Sequence, residues 1–549
     1  KGHGTDRQND NHYKKKRHIA IGSNSKFYQM SCAAKSDNNG KGAIPDSKGE
    51  LDFNPVSTGD VSSCISFFSD LGAKTTDKHL LFYCFAKNKD DLIKLVKKAR
   101  KTNPNYLIQK QEIASSQFLD DFVNIKNVAL LAKRFSNEDL AQIVKDYQRS
   151  ILILHSQTNS NGLVTAGNDG QFLKTDGKDH YSYFWPRDGA FAAEALLIIK
   201  DMKLFAKVLN ASLDLLNDKG FFYHKYLPSA KKGTESPGST WHSYILESGE
   251  EIVPIQQDAT SLWLFELVKY LTINNSKEIL NRYAPYLKKI VKFTLKFTFL
   301  TTKLSSNITE YSSGFNGKPV VNFKKYNKTA LPLPSYDIWE QYYGIFSYNA
   351  LLSYFALKKS LTLLSELGEN KLEKEVQEYL PRLKSDISTY LIEDGKFIKG
   401  IRYCRDSVSI IKDNTADSNL YLIACMDVDN EFDFGETIAE YDSRLFIQNH
   451  IGGVARKEND HYLKLSDDLP GNPWFLSTMW RGRLALKQGD FEFAKKILLF
   501  VMSHFDSTGL ISEQIDPLTG FCYGIKPLTW SHAEYILFVK SFVKYLKTP

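Results

Sequence analysis

The sequence lacks any closely spaced set of metal ligands. Its six cysteines, at positions 32, 64, 84, 404, 425 and 522, are scattered, with no CxxC pair and no short-spaced group of cysteine and histidine. This spacing argues against a zinc site and against a dense disulfide framework, and it leaves isolated disulfides open. We therefore predict no bound metal and no cofactor, with calcium as an open question.

Long apolar runs are absent too. No stretch reaches the roughly 20 residues that a membrane-spanning helix needs, and no signal peptide is visible. The chain does not begin with methionine, so the earlier removal of a leader is left open. We expect a soluble protein that binds no membrane, either cytoplasmic or secreted after loss of a leader.

Excess charge of one sign is concentrated at the start of the chain. The net charge is +8, and residues 1–50 hold ten Lys or Arg against five Asp or Glu, with the run HYKKKRH at His12–His18. Such a run is usually a solvated, flexible tail, so we predict no nucleic-acid binding. The chain as a whole is 42% apolar, which is enough for a large core, and 549 residues suggest two to four domains.

The first part of the chain has a different periodicity from the rest. Two segments, 61–70 and 79–86, are typical of strands, and 90–101 has a helical apolar stripe. We predict a β-rich N-terminal domain over 1–115, with a basic and flexible start, and a partly helical connector over 116–135. The remainder, 136–549, is predicted to be one helical domain.

From about residue 137 the apolar period is 3.6, which indicates helices. The predicted helices are 137–157, 188–200, 202–217, 257–273, 276–298, 346–367, 370–392, 417–428, 434–447, 473–488, 491–504 and 530–546. Links after the even-numbered helices are short, whereas links after the odd-numbered ones are about 25 residues or more, above the usual helix–helix range. Short links join antiparallel neighbours. The alternation predicts a mainly α fold, an (α/α)6 barrel of six helical hairpins, with every long loop at the same end.

Five of the six long loops end in mixed polar and aromatic clusters. They contain YFWPRDG at 183–189, PIQQD at 254–258, SYDIWEQ at 335–341, RKEND at 456–460 with GNPWF at 471–475, and ISEQID at 511–516 with PLTWSHAEY at 527–535. The second loop also contains Trp241, and the fourth, 393–416, has no comparable motif. Each cluster alone is more often a helix cap or a packed surface aromatic. Five clusters at one end of one barrel favour a carbohydrate site, where aromatics face sugar rings and charged groups bind hydroxyls.

This motif series resembles the glucoamylase family, glycoside hydrolase family 15. The order WPRD, PIQxD, SYDIWE, RKEND with GNPWF, and SEQ with PLTWSHAE is similar to that family over about 137–549. The resemblance is nearer to the bacterial and archaeal members, which carry a β-sandwich ahead of the barrel. It implies an exo-acting inverting hydrolase that releases β-glucose from the non-reducing ends of starch, glycogen or maltooligosaccharides.

The resemblance also implies roles for particular residues. Glu340 would be the general acid and Glu513 the base that activates water, as inversion requires two carboxylates with room for a water between them. We expect desolvation beside Trp339 to keep Glu340 protonated, and the neighbours of Glu513 to stabilise an anion. The residues implied in substrate binding are Trp185, Arg187, Asp188, Gln257, Asp258, Asp337, Trp339, Gln341, Arg456, Trp474 and Trp530.

One position departs from the family pattern. Many relatives have a second acid after the catalytic glutamate, where this chain has Gln341. Linkage preference is therefore open, and a glucodextranase, an isomaltose- or trehalose-hydrolysing enzyme, and a non-catalytic glucoamylase-like regulatory domain are the alternatives. Because both candidate carboxylates are present, we favour an enzyme acting on α-linked oligo- or polysaccharides, with no obligatory protein partner.

Overall fold

The structure is a computed structural model. It describes residues 18–23, 25–34, 45–57, 61–168, 181–231, 244–245, 251–252, 255–301, 311–313, 319–321, 323–404 and 409–548. The basic start at 1–17 and Trp241 of the second long loop lie outside the described residues.

The chain divides into two compact units, with the division between Phe118 and Leu119. In the N-terminal unit, β1 (His18–Ser23) pairs antiparallel with β4 (Leu81–Ala86), and β2 (Gln29–Ala34) pairs antiparallel with β3 (Val61–Ser66). Helix α1 (Lys89–Lys101) packs against β1 and β4, and α2 (Pro104–Asp120) follows it. The predicted connector, 116–135, contains α3 (Ile125–Leu131).

The second unit is mainly helical. Besides α3, its described helices are α4 (Asn137–Gln157), α5 (Pro186–Ile199), α6 (Met202–Leu213), α7 (Gln257–Asn274), α8 (Lys277–Lys296), α9 (Ser347–Glu366), α10 (Asn370–Tyr390), α11 (Asn419–Met426), α12 (Gly435–Leu445), α13 (Phe475–Lys487), α14 (Phe491–Ser503) and α15 (Thr529–Tyr545), and these twelve form the barrel. Helices α5, α7, α9, α11, α13 and α15 each pack on the next, and α15 packs on α5, which closes the ring. The remaining six lie outside this ring, and the prediction of an (α/α)6 barrel is confirmed.

Burial explains which helices are inner and which are outer. Helix α9 is buried on all sides over its first eleven residues, Ser347–Leu357, as expected of a helix surrounded by others. Helix α10 instead buries one stripe, Leu372, Val376, Tyr379, Leu380, Leu383 and Ile387, and exposes its charged face. The inner ring therefore supplies the core, and the outer helices cover it.

Short strands join the long loops. They are β5 (Tyr244–Ile245), β6 (Glu251–Ile252), β7 (Tyr311–Ser313), β8 (Pro319–Val321), β9 (Ser335–Tyr336), β10 (Tyr343–Phe346), β11 (Ile392–Glu393), β12 (Lys396–Phe397), β13 (Gly400–Cys404), β14 (Ser409–Asp413), β15 (Gln514–Ile515) and β16 (Cys522–Tyr523). A four-stranded sheet in the order β14-β13-β10-β9 connects the third and fourth long loops. Within it, a Cβ on Gly344 would lie 2.2 Å from the carbonyl oxygen of Ile401, so glycine permits the close pairing of β10 and β13.

All six cysteines are free thiols. None of the helices in the described parts of the chain has the length and apolar character needed to cross a membrane.

Candidate active site

The long loops meet at the N-terminal ends of the inner helices. There they enclose a cavity of about 350 Å³, within the usual range for small-molecule sites. Its lining consists of Ala166, Tyr181, Trp185, Arg187, Asp188, Ile338, Trp339, Glu340, Gln341, Arg456, Tyr462, Leu463, Trp474, Leu476, Glu513, Leu528 and Trp530. Unsatisfied N–H groups and aligned peptide dipoles at these helix ends favour anionic groups nearby.

The WPRD motif places a cation in the cavity wall. Pro186 is the first residue of α5, a position that suits its fixed φ and missing N–H. Helix α5 therefore begins two residues earlier than predicted, and Arg187 and Asp188 lie in its buried first turn. The guanidinium of Arg187 donates to Oε1 of Gln256 at 3.0 Å and lies 3.4 Å from Oε1 of Glu340.

A tight turn from Asp337 to Tyr342 carries Glu340. Oδ1 of Asp337 accepts hydrogen bonds from the backbone N–H groups of Gln341, at 2.7 Å, and Tyr342, at 3.0 Å. The backbone N–H of Glu340 also donates to the carbonyl oxygen of Asp337. Glu340 itself has φ = 62°, in the left-handed region that non-glycine residues seldom adopt. The carboxylate of Asp337 therefore stabilises the turn that directs Glu340 into the cavity.

A lysine of the fourth long loop contacts this turn through Asp337. Nζ of Lys399 lies 3.3 Å from Oδ2 of Asp337 and 3.0 Å from Oδ2 of Asp417, and all three groups are buried. The indole N–H of Trp339 donates to Asp417. The fourth loop, which has no recognisable motif, thus supports the turn through Lys399, and Asp417, directly after the loop, fixes one aromatic wall.

Each carboxyl oxygen of Glu340 contacts a charged or titratable side chain. Oε2 lies 2.9 Å from Nε2 of His224, and Oε1 faces Arg187. Burial raises the pKa of Glu340, but His224 and Arg187 together outweigh burial and lower it to about 2. These surroundings therefore favour the carboxylate form of Glu340 at neutral pH.

Glu513 lies in the sixth long loop, directly before β15. Its Oε1 accepts a hydrogen bond from the hydroxyl of Tyr181 at 2.8 Å, and that hydroxyl lies 2.6 Å from the hydroxyl of Tyr462. Burial raises the pKa of Glu513 to about 7, against the opposing effects of Tyr181 and Arg456. The protonated Glu340 expected from sequence is therefore not favoured, because its charged neighbours outweigh desolvation. At Glu513 the neighbour Gln514 does stabilise the anion as expected, but desolvation outweighs this effect.

Aromatic rings surround a second buried cation. Arg456 forms a bidentate ion pair with Asp460, with N···O distances of 2.7 and 2.9 Å. Its guanidinium lies 4.5 Å from the ring centre of Trp474, 4.9 Å from that of Tyr462 and 5.2 Å from that of Trp339. Such contacts hold the guanidinium in a fixed orientation.

The structure brings most of the residues predicted from sequence to this cavity. Those that line it are Glu340, Glu513, Trp185, Arg187, Asp188, Trp339, Gln341, Arg456, Trp474 and Trp530. Asp337 lies behind the turn, and Asp258 lies 3.9 Å from Arg187 without reaching the lining. The amide of Gln257 donates to Ser353 of α9 at 2.6 Å, so it faces the helix interface. The preceding residue, Gln256, accepts the hydrogen bond from Arg187.

Three further residues of the site were missed from sequence. Tyr181 and His224 lie within the aromatic runs YSYFW and FFYHKY, and Tyr462 follows Asp460 by two positions. These aromatic runs next to polar motifs were the available signal. However, Tyr181 and Glu513 are 332 residues apart in the sequence, and His224 and Glu340 are 116 residues apart, so their contacts could not be read from it.

Burial also perturbs two acids next to Arg187. It raises the pKa of Asp188 and that of Asp258 to about 6, although the charge of Arg187 opposes the effect. Within the described residues, no group of His, Cys, Asp and Glu is arranged to hold a metal ion.

Comparisons with known proteins place this chain in a family and support its fold. The family model "Glycosyl hydrolases family 15" matches residues 144–489. An uncharacterized glycosyl hydrolase of Methanocaldococcus jannaschii is 23% identical over 447 residues, which are 76% of this chain and 60% of the relative. Trehalase 2 of Sulfolobus acidocaldarius is 23% identical over 378 residues, 66% of this chain and 56% of the relative. The chain thus spans less than two thirds of the length of either relative.

Solved structures share the fold at low identity. A bacterial glucoamylase complexed with acarbose has a TM-score of 0.68 at 15% identity, covering 97% of this chain and 72% of that chain. The glucoamylase of Saccharomycopsis fibuligera has a TM-score of 0.52 at 14% identity, covering 74% of this chain and 96% of that chain. Since the family model matches more than half of its length, this chain belongs to glycosyl hydrolase family 15.

Proposed function

We propose that this protein is an exo-acting, inverting glycoside hydrolase that releases β-glucose from the non-reducing ends of α-glucans such as starch, glycogen and maltooligosaccharides. One observation carries the proposal: Glu340 and Glu513 line the same cavity from different loops, among tryptophans and buried arginines. Each carboxyl has its own hydrogen-bond partner, His224 for Glu340 and Tyr181 for Glu513.

In the proposed reaction Glu340 protonates the glycosidic oxygen, and Glu513 removes a proton from the attacking water. Arg187, Asp188 and Arg456 bind hydroxyls of the terminal glucose, because buried charged groups form the stronger hydrogen bonds. The tryptophans contact the apolar faces of the ring. The sugar enters as a chain end, since the cavity lies at one end of a closed helical ring.

This division of roles requires the protons to redistribute when substrate binds. Glu340 must be protonated and Glu513 ionised, whereas the protein surroundings of the two groups favour the reverse between about pH 2 and pH 7. The side chain of Glu340 is 27% exposed. A sugar that covers it removes water and raises its pKa, and sugar hydroxyls take up part of the hydrogen bonding of Arg187.

A trehalose-hydrolysing enzyme is the second candidate. Trehalase 2 of Sulfolobus acidocaldarius matches two thirds of this chain. In addition, Gln341 stands in the lining where many glucoamylases have an acid, which changes the site next to the terminal sugar. A non-catalytic role is disfavoured because both carboxylates are present in the cavity.

Sugar release from a panel of substrates tests the proposal. The purified protein is incubated with maltose, isomaltose, trehalose and glycogen, and the products are followed by proton NMR during the first minutes. We expect β-glucose from maltose and glycogen, with Glu513→Gln as the inactive control. Initial α-glucose from glycogen would contradict inversion, because there the leaving group stays in the polymer and only the newly formed anomer is released. Release from trehalose alone would support the second candidate, and no release from any of the four substrates would contradict the proposed activity.

A further inference from the structure

One nitrogen of His224 takes part in two polar contacts. The indole N–H of Trp185 donates to Nε2 of His224 at 3.3 Å. The same Nε2 lies 2.9 Å from Oε2 of Glu340. His224 is only 6% exposed and comes from the second long loop, whereas Glu340 comes from the third.

The hydrogen bond between Nε2 of His224 and Oε2 of Glu340 is formed by a single proton. Either Nε2 carries it and donates to a carboxylate, or Oε2 of a protonated Glu340 carries it and donates to Nε2. The indole N–H is a donor only. Because it points at Nε2, it has an acceptor on that atom only when Nε2 is unprotonated. Trp185 therefore stabilises the form in which Glu340 holds the proton.

We infer that His224 is a positioning residue that shares one proton with Glu340 and thereby keeps the general acid supplied with the proton it delivers. The inference rests on the proposed function, because it concerns the acid of that reaction. His224 itself does not touch the bond that is cleaved.

The surroundings act on the two forms of the pair in opposite directions. Burial favours the uncharged form of both groups, since it raises the pKa of Glu340 and lowers that of His224. Their mutual attraction favours imidazolium and carboxylate instead. The other titratable and charged groups that act on the pair are Arg187, Lys225, Asp188, Asp258 and Tyr462. A pair with such opposing influences titrates as one unit.

The proton balance of the step is simple. When His224 is imidazolium, its Nε2–H bond breaks as the Oε2–H bond of Glu340 forms. The Oε2–H bond then breaks as the proton moves to the glycosidic oxygen, which also receives the electron pair of the cleaved C–O bond. A proton from solvent afterwards restores the His224–Glu340 pair.

The pH dependence of kcat in a His224→Gln variant tests the inference. A glutamine amide can still hydrogen-bond Glu340 but cannot carry the proton. We expect the alkaline limb of kcat to move to lower pH by about one unit, because a pair of two proton-binding groups keeps its last proton to a higher pH than a single carboxyl does. Activity should therefore fall by up to about tenfold at neutral pH and recover toward the wild-type value in acid.

His155→Gln is the matched control. His155 also contacts a carboxylate, Asp201, at 2.7 Å, but this pair belongs to the outer helices. We expect an unchanged pH profile in this variant. If His224→Gln folds poorly, as judged by thermal unfolding, the titration of His224 is followed by NMR in the wild type and in Glu340→Gln. The inference requires a lower histidine pKa in the latter, and an unchanged pKa would overturn it.

Two outcomes separate this inference from the proposed function. If the wild type hydrolyses α-glucosides and His224→Gln loses the same factor at every pH, His224 has only a structural role and the inference is wrong. The proposed function then stands. If the wild type releases no sugar from any substrate of the panel, the proposed function fails first, while the NMR comparison still reports on proton sharing.

Discussion

The two carboxyl groups of the cavity are surrounded by different kinds of neighbours. Glu340 has cationic and imidazole partners, whereas Glu513 is buried against tyrosine hydroxyls. We predict that Glu340→Gln and Glu513→Gln each lower kcat by about 10²–10⁴-fold, the usual contribution of a general acid or base. Steady-state kinetics on maltooligosaccharides measures this loss. Glu431→Gln, in a surface ion pair with Lys358, serves as the control, and near-normal activity in either cavity variant would remove that residue from its role.

The hydroxyl of Tyr181 is predicted to set the acidic limb of the pH profile. Its hydrogen bond lowers the pKa of Glu513 against the effect of burial. Without this bond, in Tyr181→Phe, the pKa of Glu513 rises above about 7, so the base is ionised only at higher pH. We expect the acidic limb of kcat to move to higher pH, with the greatest loss of activity near pH 5.

Tyr147→Phe is the control for this prediction, because Tyr147 is a buried tyrosine of the outer helix α4. Its pH profile should match that of the wild type. An unshifted acidic limb in Tyr181→Phe would show that the hydroxyl does not act on the base.

Gln341 is predicted to influence linkage preference. It lines the cavity beside Glu340, on the side that we assign to the second sugar. An amide both donates and accepts hydrogen bonds, and a carboxylate only accepts. Gln341→Glu should therefore change the ratio of activities on maltose and isomaltose by about tenfold or less, the effect of one rearranged hydrogen bond. Arg187→Ala, which affects the terminal sugar, should reduce both activities together, and the opposite pattern would show that the sugar positions are assigned wrongly.

The turn from Asp337 to Tyr342 is a small element with a large effect on the site. Asp337→Ala removes the acceptor of two backbone N–H groups and one acid next to the buried Lys399. We predict a loss of about 2–4 kcal/mol in the free energy of unfolding, together with a lower kcat, because Glu340 is no longer held in its left-handed conformation.

Asp337→Asn separates these two effects. The asparagine oxygen still accepts both N–H groups, but it no longer compensates the charge of Lys399. We expect kcat close to that of the wild type with reduced stability, measured by urea unfolding. Equal loss of kcat in the two variants would mean that the charge, and not the turn, positions Glu340.

The barrel as a whole determines how a polysaccharide reaches the carboxylates. Long loops at one end of a closed helical ring surround a cavity, so only a chain end is expected to enter. We predict that glucose is the first product from glycogen and that its amount rises linearly from the start. Chromatography of early time points tests this. An early population of mid-length oligosaccharides would indicate an open groove and internal cleavage.

Much of this architecture follows from the sequence by itself. Each of the twelve predicted barrel helices coincides with an observed one to within a few residues at its ends. This succeeds because apolar periodicity and short links between helices are local properties. The alternation of short and long links then places the motifs of distant loops at one end, before any contact is known.

Only the tertiary structure decided which side chains act together and in which protonation state. Gln256 and not Gln257 holds Arg187, because Gln257 begins α7 and turns toward Ser353 of α9. The fourth loop lacks a motif, yet its Lys399, paired with Asp417 directly after the loop, supports the turn that carries Glu340. The pKa values of Glu340 and Glu513 depend on desolvation and on charges that come from other loops. Both effects depend on three-dimensional distances, which the spacing of residues along the chain does not determine.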